Sequence, residues 1–373
     1  MSRLRVVILG LSITSSWGNG HAVTYRALVR ALTRRGHQVL FLERDKPWYA
    51  HNRDLPHPPF GRTELYGGLE ELRDRFAGEV READLVMVGS FVPEGIAAGG
   101  WVLDQARGLT AFYDIDTPVT LGKLERGECS YLAVRQIARY DLYLSFTGGP
   151  TLERLGREFG SPMARPLYCS VDPEQYFPEE TELRWDLGYL GTYSLDRQPA
   201  VDRLLTHPAR DWLEGRFTVA GPQYPADLDW PANVARIEHL PPPEHRRFYN
   251  AQRFTLNVTR ADMIRAGWSP SVRLFEAAAC GTPIISDWWE GLDQFFTPGR
   301  EIFLPASPAE VLTILRKMPE EVRRTAGQAI RRRVFQTHTA EHRARELEAF
   351  VLERQTQVAG QRQAAGWSTA VSP

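Results

Sequence analysis

The chain has 373 residues, 43% of them hydrophobic and 24% charged, with a formal net charge of −1 at pH 7. That length exceeds what one core ordinarily organises and predicts two domains of common size; the near-zero charge argues against a general nucleic-acid binder, which needs a basic excess to neutralise phosphates. The three cysteines, Cys129, Cys169 and Cys280, lack metal-ligand spacing and cannot all pair with one another, and no stretch approaches ~20 uninterrupted apolar residues, so a cytoplasmic protein without signal peptide or transmembrane segment is expected.

In chain order, Arg5–Gly10 is a continuous apolar run ending in glycine, the pattern of a strand buried on both faces. The loop Ser12–His21 follows, then a helix marked by Tyr25, Leu28, Val29 and Leu32, then a strand over 37–42, which together make a βαβ unit opening a parallel sheet. The glycines do not spell the GxGxxG dinucleotide fingerprint. Residues 43–64, rich in Pro, His and aromatic residues, read as a long irregular loop that either forms an acceptor wall or is a packed surface excursion. Strands over 84–88, 110–113, 142–146 and 165–169 alternate with helices over 69–76, 94–107 and 151–158. The first domain is placed at 1–171, with a Pro-containing linker over 172–183.

A second alternating series occupies 172–340, with strands over 186–193, 217–220, 234–237, 254–259, 283–287 and 299–304. A closing helix is expected to 354–357 and a frayed tail over 358–373. The arginines at 323, 324 and 331–333 read as a solvated helix face.

Ser269–Pro283 is the most informative stretch. Ser269 suits an N-cap and Pro270 a first helical turn, while Gly281 suits a left-handed stop and Pro283 blocks continuation. A helix beginning beyond a strand exit offers free N–H groups and a favourable dipole to an anion. Arg273 adds a positive charge in the first turn, and Glu276 follows one turn on, able to hydrogen-bond a sugar hydroxyl. The residues by themselves point to a nucleotide-sugar site.

Four segments then carry a resemblance: Phe41–Asp45 with Pro47–Tyr49, Tyr113–Thr120, Leu256–Met263 and Ser269–Gly281. In this order they resemble the CgeB-like glycosyltransferases, relatives of glycosyltransferase family 4. The resemblance implies the GT-B architecture, two facing Rossmann-like αβα domains with a cleft between them. It implies sugar transfer from a nucleotide-sugar donor, a UDP- or dTDP-sugar carrying a hexose or deoxyhexose, to an unidentified acceptor, with no cofactor and no essential metal. Residue by residue, Glu276 corresponds to the ribose carboxylate and Ser271–Val272 with Arg273 to the diphosphate cradle. Gly191, Thr192, Arg197 and Arg260 join the nucleotide-sugar side, and His239–Leu240 corresponds to the segment whose backbone reads the base. Retaining family 4 enzymes carry a second glutamate eight positions before the ribose glutamate. Here that position is Trp268, which leaves the stereochemical outcome and the sugar open.

For proton handling, His21 follows Gly18–Asn19–Gly20 at the start of the first helix and is a candidate base, against the alternative that it caps the helix or packs on Trp17. Asp114 and Asp116 form an Asp-x-Asp that period two would put on one face of a strand end, as hard metal ligands require. Because the pair falls in the acceptor half, Asp116 is read as a cleft-lining base or acceptor hydrogen-bonder, or else as a turn stabiliser. Gly18, Asn19, Gly20, Trp48 and Asp114 are assigned to the acceptor-side cleft. A nucleotide-sugar epimerase and a non-catalytic nucleotide- or sugar-binding protein remain as alternatives.

Overall fold

The computed structural model describes residues 3–18 and 20–369, with side chains described through residue 361. The chain divides into two compact units, Met1–Tyr168 with Ala340–Pro373, and Cys169–Thr339. The entry and exit segments of the second unit pair with each other, Val171 N–H donating to the His338 carbonyl at 3.1 Å.

The first unit is a seven-stranded sheet in the order β3-β2-β1-β4-β5-β6-β7, every adjacent pair being parallel. Its strands are β1 (Arg5–Gly10), β2 (Gln38–Arg44), β3 (Arg62–Tyr66), β4 (Leu85–Gly89), β5 (Leu109–Asp114), β6 (Leu142–Ser145) and β7 (Ala164–Pro166). The Val6–Leu9 run is buried because helices cover both sheet faces. Strand order reverses between β1 and β4, so this unit's crevice opens at their carboxyl ends.

The second unit repeats the plan with six strands, β8 (Trp185–Leu190), β9 (Phe217–Ala220), β10 (Val234–Ile237), β11 (Gln252–Asn257), β12 (Ile284–Ser286) and β13 (Ile302–Phe303). Their order is β10-β9-β8-β11-β12-β13, again parallel, with the switch point between β8 and β11.

Four expectations need correction. The 43–64 region is not wholly irregular: Pro47–Ala50 is a helical turn and β3 begins at Arg62. As an edge strand, β3 buries only Tyr66 fully, so its sequence lacks an apolar run. The last helix runs Ala340–Thr369, past the expected start of a tail at 358. It lies on the first unit, where Arg35 and His37 bond Glu348, the His37 Nε2 at 2.7 Å. Arg323 is buried and donates to the Arg253 carbonyl at 3.1 Å, so it is no part of a solvated face.

The fourth correction falls on Ser269–Pro283. The helix is Val272–Ala279 with Ser271 as N-cap, two residues later than Ser269 and Pro270 suggested. Both of those residues are instead buried in the loop leading in. The C-terminus closes as expected on Gly281 at φ 74°. Gly281 N–H bonds the Ala278 carbonyl at 2.9 Å and Thr282 N–H the Ala277 carbonyl at 3.1 Å, a Schellman ending.

Candidate functional site

In the second unit, the chain leaves β8 at Gly191–Thr192 and β11 at Asn257, the two ends of the switch point. Arg273, on the first turn of Val272–Ala279, reaches back over both. Its Nε donates to the Leu190 carbonyl, its Nη1 donates to Asn257 Oδ1 at 3.0 Å, and its guanidinium lies 5.0 Å from the Tyr189 ring centroid. Gly191 has no room for a side chain here: a Cβ would fall 2.5 Å from the Tyr189 hydroxyl and 3.0 Å from Arg273 Nη2. Arg197 comes from the loop after β8 and donates to the Thr192 carbonyl at 2.6 Å. Burial disfavours the charge on Arg197, partly offset by Tyr189, and repulsion from Arg273 and Arg260 adds to the cost. A site that crowds like charges in this way is paid back by an anion.

The helix N-terminus is left open by a specific arrangement. The Ser271 hydroxyl does not cap its own helix; it donates to Asn257 Oδ1 at 2.7 Å. Asn257 is fully buried and donates in turn to Ser286 Oγ at 2.9 Å. Thr259 N and Oγ1 each bond Asp287 at 2.8 Å. Burial raises the Asp287 carboxyl above its ordinary range. Arg273 and the side-chain-uncapped start of this helix therefore stand together at the switch point, an arrangement whose chemistry suits an anion.

Glu276 lies one turn deeper and is buried, accepting from the Tyr249 hydroxyl at 3.0 Å. Arg260 is exposed at the N-cap of the helix Ala261–Ala266. His239 and Leu240 follow β10, two strands away from β8 in sheet order, and the Leu240 carbonyl accepts from His245 Nε2 at 3.0 Å. The structure thus gathers Gly191, Thr192, Arg197, Ser271, Val272 and Arg273 at one switch point, with Glu276 behind them. Trp268 adopts φ 43° and its N–H donates to the Glu290 carbonyl at 2.6 Å, a backbone bend that turns the loop into Ser269–Ser271.

In the first unit, His21 opens the helix His21–Arg34 beside the β1–β4 switch point. His21 Nε2 lies 3.8 Å from Asp116 Oδ2, and the imidazole meets Phe91 edge-on at 5.5 Å. Its Nδ1 is buried with no hydrogen-bond partner among the described residues. Gly18 and Gly20 flank the loop, Trp48 is exposed on its helical turn, and Asn19 lies outside the described residues.

Asp114 and Asp116 do not share a strand face. Asp114 ends β5 with no exposed surface, so it lines no cleft, whereas Asp116 is the N-cap of the helix Thr117–Glu125. The Asp114 carboxylate accepts from Tyr143 at 2.5 Å and Thr120 at 2.8 Å. Burial pushes its pKa up to about 6 against those hydrogen bonds, with the Asp116 charge adding to the rise.

Two carboxylates missed by sequence reasoning shape this loop. Glu43, fully buried at the end of β2, accepts from Ile13 N at 2.7 Å, Thr14 N at 2.9 Å, Thr14 Oγ1 at 2.7 Å and Ser12 Oγ at 3.1 Å. Asp54 pairs with both Arg26 Nη atoms, at 2.8 and 2.9 Å, and takes Ser16 N–H at 2.8 Å. Partial burial raises the Asp54 pKa, but Arg26 and Ser16 outweigh it and leave it at about 2. The 51–55 segment is thereby fastened to the β1 loop, so Trp48 is carried on an ordered excursion. A lone glutamate ending an apolar strand run is the signal that would have found Glu43.

Residues 197–349 match the Glyco_trans_1_2 family model, described as glycosyl transferase-like. That segment contains Arg197, Arg260, Arg273 and Glu276. No curated protein matches the chain in sequence. Among solved structures, the chain is similar to sucrose-phosphate synthase from Thermosynechococcus elongatus, with 17% identity, a TM-score of 0.63, and coverage of 97% of this chain and 100% of that one. It is also similar to Anabaena HepE in complex with UDP and glucose, with 12% identity, a TM-score of 0.66, and coverage of 94% and 100%. An α-glucosyltransferase in complex with UDP gives 12% identity, a TM-score of 0.71, and coverage of 94% and 100%. These likenesses establish the fold, which is GT-B.

Proposed function

We propose that this chain is a glycosyltransferase of the CgeB-like type, moving a hexosyl or deoxyhexosyl group from a UDP- or dTDP-sugar to an acceptor hydroxyl in the cytoplasm. The observation that carries this reading is the convergence of Arg197, Arg273 and the open N-terminus of Val272–Ala279 on the β8–β11 switch point, within the segment that matches a glycosyl transferase-like family. In this reading the leaving nucleoside diphosphate accumulates charge as the glycosidic bond breaks. Two guanidiniums and the first-turn N–H groups meet that charge without reorganising. A set of fixed cations can serve in place of a divalent metal, so we propose metal-independent transfer, tested by activity that persists in EDTA.

Glu276 would take the ribose hydroxyls. On the other unit, His21 would accept the proton of the acceptor hydroxyl, with Asp116 stabilising the imidazolium that results. The Nε2–Oδ2 separation of 3.8 Å supports that pairing. Calorimetry with UDP and dTDP tests the assignment: Arg273→Ala is expected to weaken the preferred nucleotide at least tenfold while the chain stays folded, its lost bonds to Leu190 and Asn257 costing some stability. Unchanged affinity in that variant would remove the site.

A further inference from the structure

The Glu276 carboxylate is buried, and its hydrogen-bond donor among the described residues is a phenol. Tyr249 Oη donates to Oε2 at 3.0 Å, and the Tyr176 side chain lies close enough to feel the Glu276 charge. Both tyrosines are buried, with ring centroids 6.4 Å apart. Each is held at its backbone: the Thr282 hydroxyl donates to the Tyr249 carbonyl at 2.8 Å, and Tyr176 N–H donates to the Asp172 carbonyl at 3.1 Å. Cys280, one turn beyond Glu276 and also buried, has its thiol pushed up by burial, so it adds no charge to the pocket.

A carboxylate offers about four acceptor sites, and a phenol donates only one hydrogen. The Tyr249 phenol therefore leaves acceptor capacity unused while anchoring one carboxylate oxygen. A vicinal diol, with two O–H donors side by side, is the ligand chemistry that fits the remainder. In the nucleotide-sugar reading, on which this inference rests, that diol is the ribose.

We propose that Tyr249 is a positioning residue that makes Glu276 selective for the ribose hydroxyls of a ribonucleoside diphosphate. Its phenol orients the carboxylate and does not touch the nucleotide. Removing a phenolic hydroxyl frees the carboxylate to rotate, so the cost falls on the ligand hydroxyls it recognises and not on the diphosphate or the base.

Calorimetry of the full chain with UDP, 2′-deoxy-UDP and 3′-deoxy-UDP tests this, using Glu276→Gln, Tyr249→Phe and Tyr176→Phe, with melting temperatures recorded. The wild type is expected to prefer UDP over the weaker deoxy analogue by about tenfold or more, as for hydrogen bonds to a charged group. Glu276→Gln should abolish the preference. Tyr249→Phe should cut it to about threefold by weakening UDP alone, with a smaller effect in Tyr176→Phe. Equal loss for all three nucleotides in Tyr249→Phe would show a structural role and overturn the proposal. So would a full preference retained in Tyr249→Phe while Glu276→Gln loses it, an outcome that leaves the ribose reading intact. No preference in the wild type, or a preference that survives in Glu276→Gln, would overturn the ribose reading and the proposal together.

Discussion

Asn257 Oδ1 accepts from Arg273 Nη1 at 3.0 Å, and the same oxygen takes the Ser271 hydroxyl at 2.7 Å. One buried amide therefore fixes the cation of the candidate anion site and diverts the N-cap hydroxyl away from the helix it would otherwise close. Asn257→Ala is expected to lower stability by about 2 kcal/mol, because it removes hydrogen bonds to the part-buried Ser271 and Arg273 and to the buried Ser286. It should also weaken nucleotide diphosphate binding about tenfold. Chemical denaturation and calorimetry on the same preparation check both; a stability loss at unchanged affinity would confine Asn257 to the core.

Glu43 organises the first unit's loop through four donors, two of them backbone N–H groups. Glu43→Ala removes their acceptor inside a buried site, and a loss of about 3 kcal/mol is expected. Glu43→Gln, which keeps one acceptor oxygen, should recover part of it. Urea midpoints of the two variants give the comparison, and equal midpoints for wild type and Glu43→Ala would contradict the role.

Asp114 makes a pH-dependent contribution with a definite sign. Its folded pKa of about 6 lies above the ordinary 3.8. Between about pH 4 and 6 the folded state holds a proton that the unfolded state has released, so stability falls as pH rises through that window. The full difference is up to ~3 kcal/mol. Asp114→Asn should flatten this window relative to wild type, measured as the difference in unfolding free energy from pH 4 to 7.

Glu348 acts in the opposite sense. Hydrogen bonds from Arg35, against partial burial, and from His37 hold its pKa at about 2. Its contribution is present above the unfolded carboxylate range and is lost as pH falls from about 4.5 towards 2. Glu348→Gln should lower stability at pH 7 by about 2 kcal/mol and reduce the wild-type loss in that acid window, to which Asp54 also contributes, read from melting temperatures between pH 2.5 and 7.

For the proposed proton transfer, His21→Ala is expected to reduce kcat by 10²–10⁴ with little change in donor KM. Asp116→Asn should cost less, since it removes only the stabilising charge. A His21→Ala enzyme with wild-type kcat would assign the base elsewhere.

Much of this protein is legible in its sequence. Continuous apolar runs such as Val6–Leu9 and Leu85–Val88 announce strands covered on both faces, because only strands flanked by helices can lack a polar side, and their alternation with helical periods specifies two parallel sheets. Gly281 announced its left-handed stop for an equally local reason. The β3 strand escaped because an edge strand needs no apolar run, and the last helix outlasted its apolar face, so pattern alone ended it early. At the site, charge and spacing singled out Arg273 and Glu276, but the N-cap moved from Ser269 to Ser271 once the loop through Trp268 was fixed by Glu290. Only the tertiary structure decided that Asn257 would align Arg273, that Tyr249 would hold Glu276, that Asp114 would be buried while Asp116 stands beside His21, and that Glu43 would knit the first loop. Those pairings join residues 14 to 95 positions apart. A sequence pattern reports a residue's own periodicity and chemistry, whereas the partner of a buried polar group is set by which strand ends the sheet order brings together.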